Sequence, residues 1–330
     1  MRKLLALSAI TFVVLSAVYF SACKDKEPGT TGDSDSTKAV VARGEYLAHS
    51  VAGCMDCHSK RDFTKYSGPV VPGTEGGGGF VFDQKLGLPG VLYGRNITPD
   101  NETGIGSWTD DDILKAITQG ISKNGDTLFP LMPYPQFNRM AKDDLVAIIA
   151  YLRTLKPISN KIPARQLMMP IAMAYPGPML QASIDANVRP AETDIVKYGE
   201  YLTNMADCGT CHSPLTQQGP DFSRRFAGGY PFDMGTFFVT SANITPDSTT
   251  GIGRWTEDQF LNRFIPFREE KNYNFDPGKS NTIMPVSEFA GMTDSDLKAI
   301  FAYLKTVKPI SNMVEKYPAG VVVDTTRMVK

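Results

Sequence analysis

The chain has 330 residues, which at about 100–200 residues per domain implies two domains or three. A hydrophobic share of 42% with 21% charged residues excludes bulk disorder, collagen-like sequence and a multi-span membrane protein. Lys and Arg number 34 against 35 Asp and Glu, a net charge of −1 that gives no basic surface for nucleic acid, and only His49, His58 and His212 are present, which excludes mechanisms needing several histidines.

Arg2 and Lys3 precede an apolar run, Leu4–Phe20, the pattern of a secretory signal. The run is marginal for a membrane span, which needs roughly 18–20 apolar residues. Ser21-Ala22-Cys23 then resembles a bacterial lipobox, in which the cysteine becomes the lipidated first residue. Residues 1–22 are thus expected to be a lipoprotein signal peptide and Cys23 its lipidation site; the alternative is an uncleaved signal anchor. Residues 23–38, polar and rich in Gly, Ser, Thr and Asp, read as a flexible tether. The expected location is the periplasmic side of a bacterial membrane, with attachment through the N-terminal lipid.

Residues 39–53 read as a short helix leading into Cys54-Met55-Asp56-Cys57-His58. Residues 193–207 do the same for Cys208-Gly209-Thr210-Cys211-His212. C-x-x-C-H is the attachment signal for c-type haem. Two thiols add across the two vinyl groups, and the adjacent histidine ligates iron from one face. A lone C-x-x-C also fits a redox disulfide or half a zinc site. Here a histidine follows each pair, and the motif occurs twice in an exported chain. The expected cofactors are two covalently attached haem c groups, held by Cys54, Cys57, Cys208 and Cys211, with His58 and His212 as iron ligands. With Cys23 lipidated, no cysteine is left over.

The motifs belong to an internal repeat. Gly44-Glu45-Tyr46-Leu47 recurs as Gly199-Glu200-Tyr201-Leu202, and Asn96-Ile97-Thr98-Pro99-Asp100 as Asn243-Ile244-Thr245-Pro246-Asp247. Met132-Pro133 matches Met284-Pro285, and Lys156-Pro157-Ile158-Ser159-Asn160 matches Lys308-Pro309-Ile310-Ser311-Asn312. Met132 lies 74 residues beyond His58, and Met284 lies 72 beyond His212, both in proline-stiffened loops. Two methionines at equivalent positions point to His/Met ligation, which raises the reduction potential of a haem; core filling is the bland alternative. His49 aligns with Thr203 and reads as a surface or haem-edge residue.

Thr109 with Asp112, Thr256 with Gln259, and Thr293 with Asp296 are predicted capping boxes, whereas Ala141 leaves its helix start without a side-chain cap. Trp108 on Ile113 is a predicted staple. Residues 158–190, rich in Pro and Met, are expected to pack the two repeats together, with Met168, Met169, Met173 and Met179 as packing residues. The order helix, haem motif, long loop, helix, methionine loop, helix predicts an all-α fold around a cofactor.

These motifs resemble the class I cytochromes c, and more closely the multi-haem cytochrome subunits of membrane-associated alcohol, aldehyde and gluconate dehydrogenases. The shared features are Gly-x-Tyr-Leu, Asn-Ile-Thr-Pro-Asp, Thr-Gly-Ile-Gly-x-Trp-Thr, Met-Pro-Tyr and Asp-Leu-x-Ala-Ile-x-Ala-Tyr-Leu. That family usually carries three haems where this chain has two motifs; Val286 stands where the first repeat has Tyr134, and residues 264–281 are unusual in the second repeat. The resemblance implies two tandem class I cytochrome c domains, 39–158 and 193–312, joined by a linker at 159–192 and followed by a tail at 313–330. It also implies His/Met ligation through Met132 and Met284, and electron transfer from a flavin or quinoprotein dehydrogenase toward another cytochrome or a terminal oxidase. No residue receives a catalytic role. The rival is a di-haem peroxidase or other haem enzyme with one open iron site, for which His49 is the only spare histidine.

Overall fold

The computed structural model describes residues 31–319. The expected signal peptide and the Cys23 lipidation site lie outside the described residues, as does the end of the C-terminal tail. Contacts divide the chain into residues 1–39 and a unit spanning 40–330. Among the described residues, no helix is long and apolar enough to cross a membrane.

The elements run in chain order. Helix α1 (Thr31–Tyr46) passes into a π-helical turn at Leu47–Val51, and α2 (Cys54–His58) carries the first haem motif. Strands β1 (Val81–Phe82) and β2 (Gly90–Tyr93) follow, then α3 (Asp110–Gln119), α4 (Tyr134–Phe137) and α5 (Lys142–Thr154). Strand β3 (Gln166–Leu167) lies in the connection between repeats. The second repeat supplies α6 (Ile195–Met205), α7 (Cys208–Cys211), β4 (Leu215–Thr216), β5 (Gly219–Pro220), β6 (Pro231–Asp233) and β7 (Phe238–Thr240). It closes with α8 (Glu257–Leu261), α9 (Val286–Phe289) and α10 (Asp294–Leu304).

The expectation of an all-α tandem pair is therefore wrong. Helix makes up only 37% of the structure. Among the described residues, seven short strands form three antiparallel sheets, ordered β1-β2-β3, β4-β5 and β6-β7. Pairs such as Val81 with Tyr93 and Phe232 with Val239 hold the ladders. All but β3 sit in the long glycine-rich loops to which the sequence pattern assigned no element. Short β-branched and aromatic stretches between glycines favour extended pairing there.

The helix pairs explain the Gly-Glu-Tyr-Leu repeat. Gly44 sits against the Ala147 carbonyl of α5, and Gly199 against the Ala299 carbonyl of α10; a β-carbon on either would lie 1.8 Å from that oxygen. Only glycine allows these helices to approach so closely. The Asn-Ile-Thr-Pro motif pins each last segment to its repeat. Asn96 Nδ2 donates to the Ile158 carbonyl at 2.7 Å, and Asn243 Nδ2 to the Ile310 carbonyl at 2.8 Å. The capping boxes at Thr109 and Thr256 are both formed. Thr293 caps α10, but its expected partner Asp296 turns instead to the phenol of Tyr46. Ala141 offers no side-chain cap, as expected.

The two repeats are joined by reciprocal polar contacts. Tyr201 Oη donates to Asp144 Oδ2 at 2.7 Å and accepts from the Ala141 N–H. Tyr46 donates to Asp296 and accepts from the Thr293 N–H. Asp144, 1% exposed, also receives Arg43 Nε and Arg189 Nη1, each at 3.0 Å. The connecting segment contributes as expected through Ile184, buried in the shared core, and Asn187, which bonds the Asn138 and Met140 carbonyls. Its methionines do not all pack: Met168, Met173 and Met179 are exposed.

Candidate haem sites

Both histidines are presented identically. His58 Nδ1 lies 2.7 Å from the Arg95 carbonyl oxygen, and His212 Nδ1 lies 2.7 Å from that of Ala242. A carbonyl can only accept, so each ring carries its proton on Nδ1 and presents Nε2 as the free lone pair. Burial holds both imidazoles below their usual pKa, opposed by these hydrogen bonds, and keeps them neutral as ligation requires. Each histidine's own carbonyl is fixed by a left-handed glycine: the Gly78 N–H reaches His58 and the Gly228 N–H reaches His212, both at 2.7 Å. Gly228 also stands where a β-carbon would strike the Ala242 backbone at 2.4 Å. The acceptors Arg95 and Ala242 were not singled out in the sequence. Their signal was positional, since each immediately precedes the repeated Asn-Ile-Thr-Pro.

Cys54, Cys57, Cys208 and Cys211 are all free thiols. Burial pushes the first three up to about 12 and Cys211 higher.

Met132 and Met284 both pack, half-buried, against the core that also receives Cys54 and Cys208. Their turns match. Pro133 (φ −80°, ψ 46°) and Pro285 (φ −79°, ψ 66°) are inverse γ-turn centres. The Tyr134 and Val286 N–H groups each return to the preceding methionine carbonyl at 2.8 Å. Proline at the centre fixes φ and leaves little freedom in the direction of the methionine.

His49 is engaged elsewhere, with Nε2 2.6 Å from Tyr151 Oη. A second apolar cluster of Phe82, Leu86, Leu92, Tyr230, Phe232, Phe237 and Val239 spans the repeats beside Cys57. Tyr230 Oη donates across it to the Leu86 carbonyl at 3.0 Å.

These residues fit a covalently attached haem: free thiols at the required spacing, neutral imidazoles with Nε2 available, and apolar walls. Comparison with known proteins agrees. Residues 196–308 match the Cytochrome c family, so they form a cytochrome c domain, the class that carries covalently bound haem c. The match covers one segment of the chain, not a tandem pair. Over 317 residues, 91% of its length, the chain is 30% identical to the gluconate 2-dehydrogenase cytochrome c subunit of Pantoea cypripedii. It is also 30% identical over 297 residues to the cytochrome c subunit of the quinone alcohol dehydrogenase of Gluconobacter oxydans. The chain spans 65% and 58% of these two relatives, under two thirds of each. A diheme cytochrome c-type protein of Cereibacter sphaeroides is 28% identical over 86% of this chain and 88% of its own.

Proposed function

We propose that the chain is a di-haem electron-transfer protein, the cytochrome subunit that accepts electrons from a flavin or quinoprotein dehydrogenase and passes them to another cytochrome or a terminal oxidase. The observation that carries this reading is the identical presentation of His58 and His212, each with Nδ1 2.7 Å from a backbone carbonyl, next to matching Met-Pro turns.

Cys54, Cys57 and His58 hold one haem; Cys208, Cys211 and His212 hold the other. Met132 and Met284 would supply the second protein ligand to each. A bound haem supplies one-electron chemistry, its iron cycling between ferrous and ferric. The chain's residues do the rest. The imidazoles stay neutral, the thioethers favour the reduced state, and the apolar walls exclude water from both centres. The relatives' names support a dehydrogenase as donor. The apolar run before Cys23 supports export and lipid anchoring at the periplasmic face of a membrane. The engagement of His49 by Tyr151 favours this reading over a peroxidase with a displaceable histidine.

Pyridine haemochrome analysis against protein concentration tests the count: two haems per chain are expected, and one would refute the reading. Carbon monoxide tests the sealed irons. Rapid binding to the native ferrous protein would show an open centre and overturn the electron-carrier assignment.

A further inference from the structure

The segment leaving the first haem motif holds the methionine turn of the second repeat. Ser67 is fully buried and takes a left-handed backbone conformation, φ 68°, unusual for a residue with a side chain. Its hydroxyl lies between the ends of the Met284-Pro285-Val286 turn. It donates to the Met284 carbonyl and accepts from the Val286 N–H, both at 2.7 Å. The Ser67 N–H donates to Asn281 Oδ1 at 2.9 Å, and Asn281 Nδ2 returns to the Phe63 and Lys65 carbonyls. Arg61 bridges the two strands of the contact, bonding the Gly68 carbonyl at 2.7 Å and the Ile283 carbonyl at 3.2 Å. Residues 264–281 add to this grip, since the Tyr66 ring stacks between Phe267 and Phe275.

The Met132 turn has no equivalent hydroxyl bridge. Its Tyr134 N–H returns to Met132, and the Tyr134 phenol donates to Leu128 within the same repeat. A strained, buried serine whose single hydroxyl satisfies both ends of one ligand-bearing turn has little other structural purpose at that position.

We infer that Ser67 is a positioning residue for the iron ligand of the other repeat: it fixes the Met284 turn, so that the first repeat sets the strength of axial ligation at the second centre. This rests on Met284 being that ligand. A γ-turn on its own is held by one bent hydrogen bond, and the hydroxyl makes it a closed three-way bridge. Without it the turn can open and carry the thioether away from the iron.

The test uses the full-length, haem-loaded protein carrying Met132→Ala, so that the red-edge absorption band of methionine-ligated ferric haem reports Met284 alone. Ser67→Gly is the informative change, because glycine accepts φ 68° without strain and removes only the hydroxymethyl group. The expected result is loss of most of the remaining band, a lower reduction potential at the second centre and carbon monoxide binding there, with Ser67→Ala behaving alike. A Ser67→Gly protein that keeps the band and the potential, while adding Met284→Ala removes them, overturns the clamp and leaves the ligand assignment standing. A band unaffected by Met284→Ala overturns the ligand assignment and this inference with it.

Discussion

Gly199 lies so close to Ala299 that a β-carbon would come within 1.8 Å of its carbonyl oxygen. Gly199→Ala must therefore push α6 away from α10. Better helix propensity returns about 1 kcal/mol, but overpacking costs about 1–3 kcal/mol and the obstacle here is rigid backbone. A net loss of about 2 kcal/mol is expected in urea unfolding of the holoprotein. An unchanged midpoint would show that the helices separate without cost.

The tyrosines that cross between repeats are not equal. Removing the Tyr201 hydroxyl leaves Asp144 with Arg43 and Arg189. Removing that of Tyr46 takes a donor from Asp296, which is 5% exposed and has Tyr198 beside it rather than two guanidinium groups. Tyr46→Phe should cost about 2–3 kcal/mol and Tyr201→Phe about 1 kcal/mol, since an under-satisfied buried carboxylate is the expensive case. Paired denaturation curves at neutral pH decide the order.

Asp207 occupies a left-handed position, φ 47°, where the first repeat has Gly53 at φ 60°. Burial pushes its carboxyl up to about 7, against the Thr210 hydrogen bond and the Arg225 charge. In the unfolded chain the same group ionises near pH 4. The native state therefore holds its proton longer, and the wild-type protein loses stability as pH rises from about 4 through about 7. Asp207→Gly removes that loss and about 1 kcal/mol of backbone strain, at the expense of the Thr210 contact. Its stability relative to wild type should be greater at pH 8 than at pH 5. The opposite slope would mean that the carboxylate is stabilised as an ion.

Phe237 is 0% exposed, with its ring 5.7 Å from that of Phe63 across the seam between repeats. Phe237→Ala should cost about 3–5 kcal/mol through the cavity left in the second cluster. Since this cluster adjoins Cys57, the reduced-minus-oxidised spectrum of the surviving folded protein should also broaden. A loss under 1 kcal/mol would show that the seam collapses around the gap.

Much of this site was legible in the sequence. The caps at Thr109 and Thr256 depend on residues close together in the chain, and each formed where its spacing placed it. The strands were missed because Val-Phe and Val-Leu-Tyr are too short to show a period, and their pairing is decided by the glycine turns between them. Asp296 was misassigned because its true partner, Tyr46, is 250 residues away. Ser67 carried no signal, for nothing near it in sequence shows that Met284 lies against it.

The crossed tyrosines give the duplicated chain a history it cannot retrace. Once Tyr46 and Tyr201 were lent to opposite halves, either half expressed alone would present a carboxylate with its phenol missing.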